Sequence, residues 1–185
     1  MNPCQQRGAV LVVSLILLVL VTLFGMLVVR NVANDERLAG FIYDRNLALQ
    51  AAEAALREGE AVAAAQARSG NGGFPPYDDR DSTCPVYAIN FCINGLCAKP
   101  DKDCTPRWLA TNFYGWRYAP AVGTGSLMLY PQYFVEYLGN TFPCSPYLDC
   151  SQPANCNCFR YRITARSQAA GRAQVMLQSV FAATP

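Results

Sequence analysis

The chain has 185 residues, with 15 Lys and Arg against 13 Asp and Glu, so its formal net charge is +2. That balance argues against a protein whose main task is to hold nucleic acid, because such proteins carry a basic excess. The chain has no histidine. This excludes Ser-His-Asp and Cys-His catalysis, and zinc or haem sites with histidine ligands.

An uncharged segment lies near the N-terminus. Residues 9–29 contain no charge, and only Ser14, Thr22 and Gly25 interrupt their apolar character. About 20 apolar residues are enough for a helix to cross a bilayer, so this segment is predicted to span the membrane. The alternative of a buried core helix fits less well, because such a helix would keep a polar face and this segment has none. A cleaved signal peptide would have a shorter apolar run, of roughly 7–15 residues, before a small-residue cleavage site.

A short polar leader, residues 1–8, precedes the uncharged segment and ends in Arg7 and Gly8. It contains Cys4, whereas the lipidated cysteine of a lipoprotein follows the apolar run. The leader resembles that of type IV prepilins and of type II secretion pseudopilins. In that family a prepilin peptidase of the inner membrane cuts after the glycine and methylates the new amino terminus. The resemblance therefore implies cleavage between Gly8 and Ala9 and N-methylation of Ala9, although the family usually has Phe at this position.

The helical pattern continues past the uncharged segment without a break. Residues 30–69 have the apolar spacing of an amphipathic helix, and the glycines at 70, 72 and 73 predict its end. The helix is thus predicted from about Ala9 to about Arg68, roughly 90 Å at the usual rise per residue. The face predicted to be buried consists of Leu38, Ile42, Leu49, Ala52, Leu56 and Ala63. An alanine stripe of Ala48, Ala51, Ala52 and Ala55 predicts close approach of another layer.

Residues 74–185 are rich in aromatic residues and have the alternation of period two that is typical of strands. Residues 159–166 and 173–181 predict a hairpin around a turn at 167–171, with further strands at 133–138 and 115–119. An antiparallel sheet of this kind has one apolar face to cover, and the alanine-lined half of the helix can cover it. The expected fold class is α+β, with a long helix on an antiparallel, disulfide-bonded head. The arginines of the hairpin, interpreted as a solvated face and not as a DNA contact, are Arg160, Arg162, Arg166 and Arg172.

Eight cysteines follow the uncharged segment, and an even number in an exported domain predicts four disulfides. They are Cys84, Cys92, Cys97, Cys104, Cys144, Cys150, Cys156 and Cys158. Their pairing stays open, although Cys97–Cys104 and Cys144–Cys150 would close small loops, and Cys156 and Cys158 are expected to take different partners. The sequence contains no CxxC motif, so the spacing of the cysteines does not indicate a zinc site. The acidic clusters at 78–81 and 101–103 lack the pattern of an EF-hand and are interpreted as loops.

Four stretches carry a closer resemblance. They are NDERLAG at 34–40, DRNLALQAAEAALREGE at 44–60, PQYFVEY at 131–137 and YRITARSQAAGRAQVMLQSVF at 161–181. They resemble the PilX family of type IV pilus minor pilins. The resemblance implies the type IV pilin fold and a subunit without catalytic activity or cofactor. It also implies a single pass through the inner membrane with the head in the periplasm, and later a place in the pilus.

The resemblance further implies a set of partners: other minor pilins, the major pilin and a tip-associated adhesin. Such a complex primes pilus growth and supports twitching motility and attachment. Two alternatives stay open. One is a minor pseudopilin of type II secretion. The other is a membrane-anchored periplasmic enzyme or ligand-binding protein that uses an aromatic cleft of the head.

The fifth mature residue of pilins is usually Glu, whose carboxylate is thought to pair with the amino terminus of a neighbouring subunit. Counted from Ala9, this position is Val13, and no acid occurs in residues 9–29. A chain without the acid cannot pair with the amino terminus of a subunit above it. Losing one partner of a buried ion pair costs about 3–5 kcal/mol, so such a chain is least penalised where no subunit lies above it. The sequence therefore predicts a place at or next to the pilus tip. The alternative is that the family tolerates Val at this position and that a neighbour or a lipid phosphate pairs with the amine.

Overall fold

The first element is one long helix, α1, spanning Arg7–Arg68 in a computed structural model that describes residues 7–76, 91–145, 147 and 156–184. No proline lies between Pro3 and Pro75 to interrupt its hydrogen-bond ladder, and alanine, the strongest helix former, dominates its second half. The predicted long helix is confirmed. The chain divides into two units, Met1–Tyr43 and Asp44–Pro185. The first contains the uncharged segment, and the second contains the rest of α1 and the sheet.

The second unit contains a mixed sheet whose strands follow the order β1-β2-β4-β5-β6, with β3 also paired to β4. All described pairings are antiparallel except β2 with β4, which is parallel. The expected antiparallel sheet is therefore wrong at this one pair, which a turn at Asn94 and Gly95 and a crossover to β4 create. The strands are β1 (Cys92–Ile93), β2 (Leu96–Cys97), β3 (Arg117–Tyr118), β4 (Gln132–Phe142), β5 (Cys158–Ser167) and β6 (Val175–Ala183).

The helix covers one face of the sheet with small residues. The small residues form an inner stripe along α1, which is buried against large side chains of the head that include Tyr133, Tyr161 and Ile163. The predicted burial of Leu38, Ile42 and Leu49 is wrong, because all three side chains are exposed. In the second unit small residues make the closest contact, since a Cβ at Gly59 would lie 2.5 Å from Cγ2 of Ile163. The inner stripe consists of Ala48, Ala51, Ala52, Ala55, Gly59, Ala63 and Ala67.

A second layer covers the opposite face of the sheet. The chain between β2 and β4 places Phe113 and Trp116 on Phe134, with ring centroids 4.8 Å from Phe134 in both cases. Beside them lies a 3-10 helix at Arg107–Leu109. The prediction of a single covered face is therefore wrong, because the loop-rich segment contributes its own aromatic core.

Two arginines of β5 stack on this second layer, and a third contacts the chain just past the end of β4. The guanidinium of Arg162 stacks on Trp108 at 4.5 Å from the ring centroid, and that of Arg166 stacks on Trp116 at 3.9 Å. Arg160 donates to the carbonyl of Pro143 at 2.8 Å. The interpretation of these arginines as a solvated face is wrong, because Trp rings and a buried carboxylate provide partners that alternation alone does not reveal.

That carboxylate belongs to Glu136, which is fully buried on β4. It accepts hydrogen bonds from Arg107 at 2.5 Å and from Arg162 at 2.6 Å. Glu136 faces Arg162 directly across the β4–β5 ladder. The ion-paired cluster joins the 3-10 helix to the sheet, and a change that leaves one of these charges unpaired is strongly destabilising.

Disulfides close the head. Cys92 pairs with Cys97 and Cys144 with Cys158, and Cys104 and Cys156 are also disulfide-bonded. The local pairs Cys97–Cys104 and Cys144–Cys150 are therefore wrong, because sheet geometry brings other cysteines together. Cys92 lies directly opposite Cys97 in the β1–β2 hairpin. Cys84, Cys150 and the acidic cluster at 78–81 lie outside the described residues.

Candidate functional site

The uncharged part of α1 is the first candidate site. Val10–Val28 has a mean hydropathy of 3.0, and none of it is buried. Its two hydroxyl groups are satisfied within the helix, since Ser14 donates to the carbonyl of Leu11 at 2.9 Å and Thr22 to that of Val19 at 2.8 Å. The segment therefore offers an apolar surface on all sides and needs no water, as a helix in a bilayer requires.

The predicted processing site lies at the start of this helix. Gly8 and Ala9 are both within α1, while residues 1–6 of the leader lie outside the described residues. Val13, the fifth residue after the predicted cleavage point, is 56% exposed. The described helix thus presents an aliphatic side chain there.

Large apolar side chains also cover the last turns of the first unit. Phe41 is 72% exposed and Tyr43 is 58% exposed. Their neighbours Val32, Leu38 and Ile42 are likewise exposed. Exposed apolar side chains at this density are typical of a surface that contacts another protein or a membrane.

Polar contacts bind the second half of α1 to the sheet. The carboxylate of Asp44 accepts from the N–H of Ala173 at 2.5 Å and from the guanidinium of Arg172. Together these donors lower the pKa of Asp44, the Ala173 hydrogen bond most strongly. Both donors lie in the loop between β5 and β6, so Asp44 joins that loop to the helix where the second unit begins.

Two more contacts follow along the helix. Ser179 donates to Glu60 at 2.8 Å, and the phenol of Tyr161 donates to Asn71 at 2.5 Å just past the helix end. Burial raises the pKa of Tyr161 to about 12, which extends to higher pH the range in which the phenol is a donor. The contacts recur from the beginning to the end of this half of α1, which makes helix and sheet one structural unit.

The head also has an aromatic cleft of about 640 Å³. Its lining contains Tyr114, Trp116, Tyr118, Asn94 and Arg117, and no carboxylate. Among the described residues, no cluster of Cys, Asp or Glu could hold a metal ion. Asp101 accepts a hydrogen bond from the N–H of Asp103 at 2.9 Å, which makes this acidic pair a local turn. The described cleft therefore lacks a carboxylate pair for hydrolysis.

Sequence reasoning missed the buried carboxylate of Glu136 and the loop contact of Asp44. A signal for Glu136 was present, since it is the one acid of β4 and interrupts the apolar run 133–138, and β5 offers arginines at alternate positions. No comparable signal marked Asp44, because its partners follow 128 and 129 positions later in the chain.

The comparisons with known proteins agree with this architecture. The model of the PilX N-terminal family matches residues 7–57, which lie within α1. The model described as type IV pilus assembly protein PilX C-term matches residues 93–183, which run from β1 to the end of β6. No curated protein and no solved structure matches the chain. Since both parts of one family match in order, over most of its length, the chain belongs to the PilX family of type IV pilus assembly proteins.

Proposed function

We propose that this chain is a minor pilin, a structural subunit that enters the type IV pilus and helps to initiate its assembly. The observation that carries the proposal is the uncharged helix, whose whole surface is apolar and unburied. Such a helix can leave the bilayer only for another apolar environment. The bundled helices at the centre of a filament provide one. Subunits anchored in this way carry their heads outside the membrane and then on the cell surface.

The proposal assigns a role to each part of the chain. Residues 1–8 are the leader that a prepilin peptidase removes, and Ala9 becomes the methylated terminus. Residues 9–29 span the inner membrane, residues 30–69 continue the helix, and residues 74–185 form the periplasmic head. The partners are other minor pilins, the major pilin and a tip-associated adhesin, and the activity served is twitching motility and attachment.

Processing is tested by the N-terminal mass of the chain from cells that contain the peptidase. We expect a mature chain that begins at Ala9 and carries one added methyl group. Gly8→Val should block cleavage, because a bulky side chain does not fit at the cut site. Gly25→Val is the matched control, since Gly25 lies in the same helix with open space around its Cβ position. A mature chain that retains the leader would contradict the proposal.

A place at or next to the tip follows from Val13. A subunit without a carboxylate at this position leaves the amino terminus of a subunit above it unpaired, at a cost of about 3–5 kcal/mol. Quantitative mass spectrometry of sheared pili, sorted by length, should give a constant number of copies per filament. A number that rises in proportion to length would refute the tip position and leave membership of the pilus intact.

Deletion of the gene separates the pilus from type II secretion. We expect the loss or marked reduction of surface pili, with normal release of secreted enzymes. The opposite result would assign the chain to a pseudopilus. The family description, type IV pilus assembly, supports the first outcome.

A further inference from the structure

The two edges of the sheet differ in their protection. On one side the sheet ends in β1 and β3, each two residues long, whereas the other side ends in β6, with nine. Native edges are protected by short strands, charges, prolines or bulges. β6 has no charge, proline or glycine, and it pairs with β5 over nine successive positions without a bulge. In the described part of the chain no strand lies beyond it.

The register shows which backbone groups of β6 point away from β5. The N–H of Val135 donates to the carbonyl of Gly95 on the far side of β4, so Val135 bonds away from β5. In antiparallel ladders residues alternate between the two neighbouring strands. Its partner Ile163 therefore bonds toward β6, to the facing residue Ser179. The alternate residues of β6 direct their N–H and C=O groups outward, and they are Met176, Gln178, Val180 and Ala182.

The side chains at this edge are also incompletely covered. Tyr161 and Ile163 on β5 are fully buried beneath α1, but Phe181 beside them on β6 is only half-buried. On the other face Met176 is 45% exposed and Val180 is 66% exposed. Both covering layers thus stop before the edge, and a further strand would extend the core on each face.

We propose that β6 accepts a strand from a different pilus subunit, so that the sheet continues from one head into the next. The proposal rests on the proposed function, which places such subunits beside this chain. The matching segment is extended, uncharged where it faces β6, and apolar at alternate positions, because outward backbone groups provide affinity and Met176 and Val180 provide apolar contacts. It belongs to a chain that has its own N-terminal apolar helix.

Symmetry argues against a second copy of this chain as the occupant. Antiparallel pairing of two β6 strands places a two-fold axis perpendicular to the sheet. The helix segments 44–68 would then run in opposite directions, although in each copy the membrane segment precedes Asp44. Parallel pairing about a two-fold axis would set each N–H opposite its own counterpart, where it finds no acceptor.

The test places a photo-crosslinking amino acid, p-benzoylphenylalanine, at Val180 of the full-length chain in its own bacterium. The matched control carries it at Leu109, which is 65% exposed and lies on the 3-10 helix of the second layer. We expect Val180 to crosslink to a β-strand of another subunit with an N-terminal apolar helix, at a yield well above that from Leu109. Equal yields, or products containing only two copies of this chain, would overturn the proposal.

A backbone variant separates strand addition from side-chain contact. Val180→Pro removes an N–H that points outward, and edge strands tolerate proline there. With the crosslinker moved to Met176, we expect this variant to reduce the yield about tenfold or more while keeping the unfolding temperature. Val180→Lys, which keeps the N–H but adds a charge, should give the same loss should the proline variant fold poorly.

The outcomes also separate this proposal from the proposed function. If deletion of the gene abolishes pili while both Val180 variants crosslink from Met176 as the native chain does, strand addition is refuted and the pilus role stands. If deletion leaves pili unchanged, the pilus role fails irrespective of the crosslinks.

Discussion

At Gly59 the backbone of α1 approaches the sheet so closely that no side chain fits. A Cβ at this position would lie 2.5 Å from Cγ2 of Ile163 and 3.1 Å from Cδ2 of Tyr133. Both neighbours are buried, with 0% and 1% of their surface exposed, so neither can swing into solvent. We therefore expect Gly59→Ala to force the helix away from the sheet.

Two opposing contributions decide how much Gly59→Ala changes the free energy of unfolding. Overpacking a core by one methyl group typically costs about 1–3 kcal/mol. Replacing Gly by Ala inside a helix contributes about 1 kcal/mol in the opposite direction. Because both neighbours are immobile, we take the upper part of the first range and expect a net loss of about 1–2 kcal/mol. For a head of this size, that lowers the Tm by roughly 3–6 °C.

The measurement is thermal and denaturant unfolding of the purified chain in detergent. Ala61→Gly, on the exposed side of the same helix, is the control that measures the propensity term alone, about 1 kcal/mol. Ile163→Leu removes the Cγ2 methyl at similar volume and should partly rescue Gly59→Ala in a double-mutant cycle. If Gly59→Ala is instead more stable than the native chain by the propensity term, the close contact between helix and sheet does not exist.

Three further predictions concern the charges and disulfides of the head. Glu136→Gln removes the charge shared by two arginines and should lower the free energy of unfolding by about 3–5 kcal/mol. The exposed control Glu53→Gln should change the free energy of unfolding by less than about 0.5 kcal/mol. Equal effects of the two variants would refute the buried cluster around Glu136. The Asp44 pKa lies below its ordinary value of 3.8, so its stabilisation is complete above that pH and is lost as the pH falls through the lower folded value. Unfolding measured from pH 7 to pH 2 should therefore show the native chain and Asp44→Asn converging in acid, and a constant difference would contradict the contact. Replacing Cys144 and Cys158 together by Ser should cost about 3 kcal/mol in a denaturant titration, since the disulfide closes a loop of about 15 residues. Alkylation of the denatured, unreduced mature chain, which lacks Cys4 after cleavage at Gly8, should add no label.

The long helix and the hairpin could be predicted because both signals are local. The period of 3.6 and the absence of proline define α1, and the period of two defines β5 and β6. The strand at β4 was recognised but shorter, as 133–138 instead of Gln132–Phe142. The disulfide partners could not be predicted, because the register of β1 with β2 and the approach of Cys144 to Cys158 depend on the folded head.

The second layer was hidden for a related reason. Alternation identifies which residues of a strand share a face, but it does not reveal what lies opposite that face. Arg162 and Arg166 therefore looked solvated, although the indole rings that cover them lie on a segment with little regular structure. A half-buried arginine is held by a stacking ring and by an acceptor for its N–H groups, and here Trp108 and Glu136 supply them to Arg162.

The predicted alanine stripe from Ala48 to Ala55 is confirmed as the place of close approach. By contrast, Leu38, Ile42 and Leu49 were wrongly added to the buried face, because apolar periodicity favours bulky side chains for the core. The buried residues of α1 from Ala48 to Ala67 have at most a Cβ, with Leu56 and Val62 only partly buried beside them, while Leu49 is 37% exposed. The sheet supplies the volume instead, through Tyr133 and Tyr161. A helix that holds its own head with small residues keeps its large apolar ones for other surfaces. In the proposed pilus, a chain without an acid in residues 9–29 would contact its neighbours through shape and apolar area along α1, and through β6, which is an edge strand among the described residues.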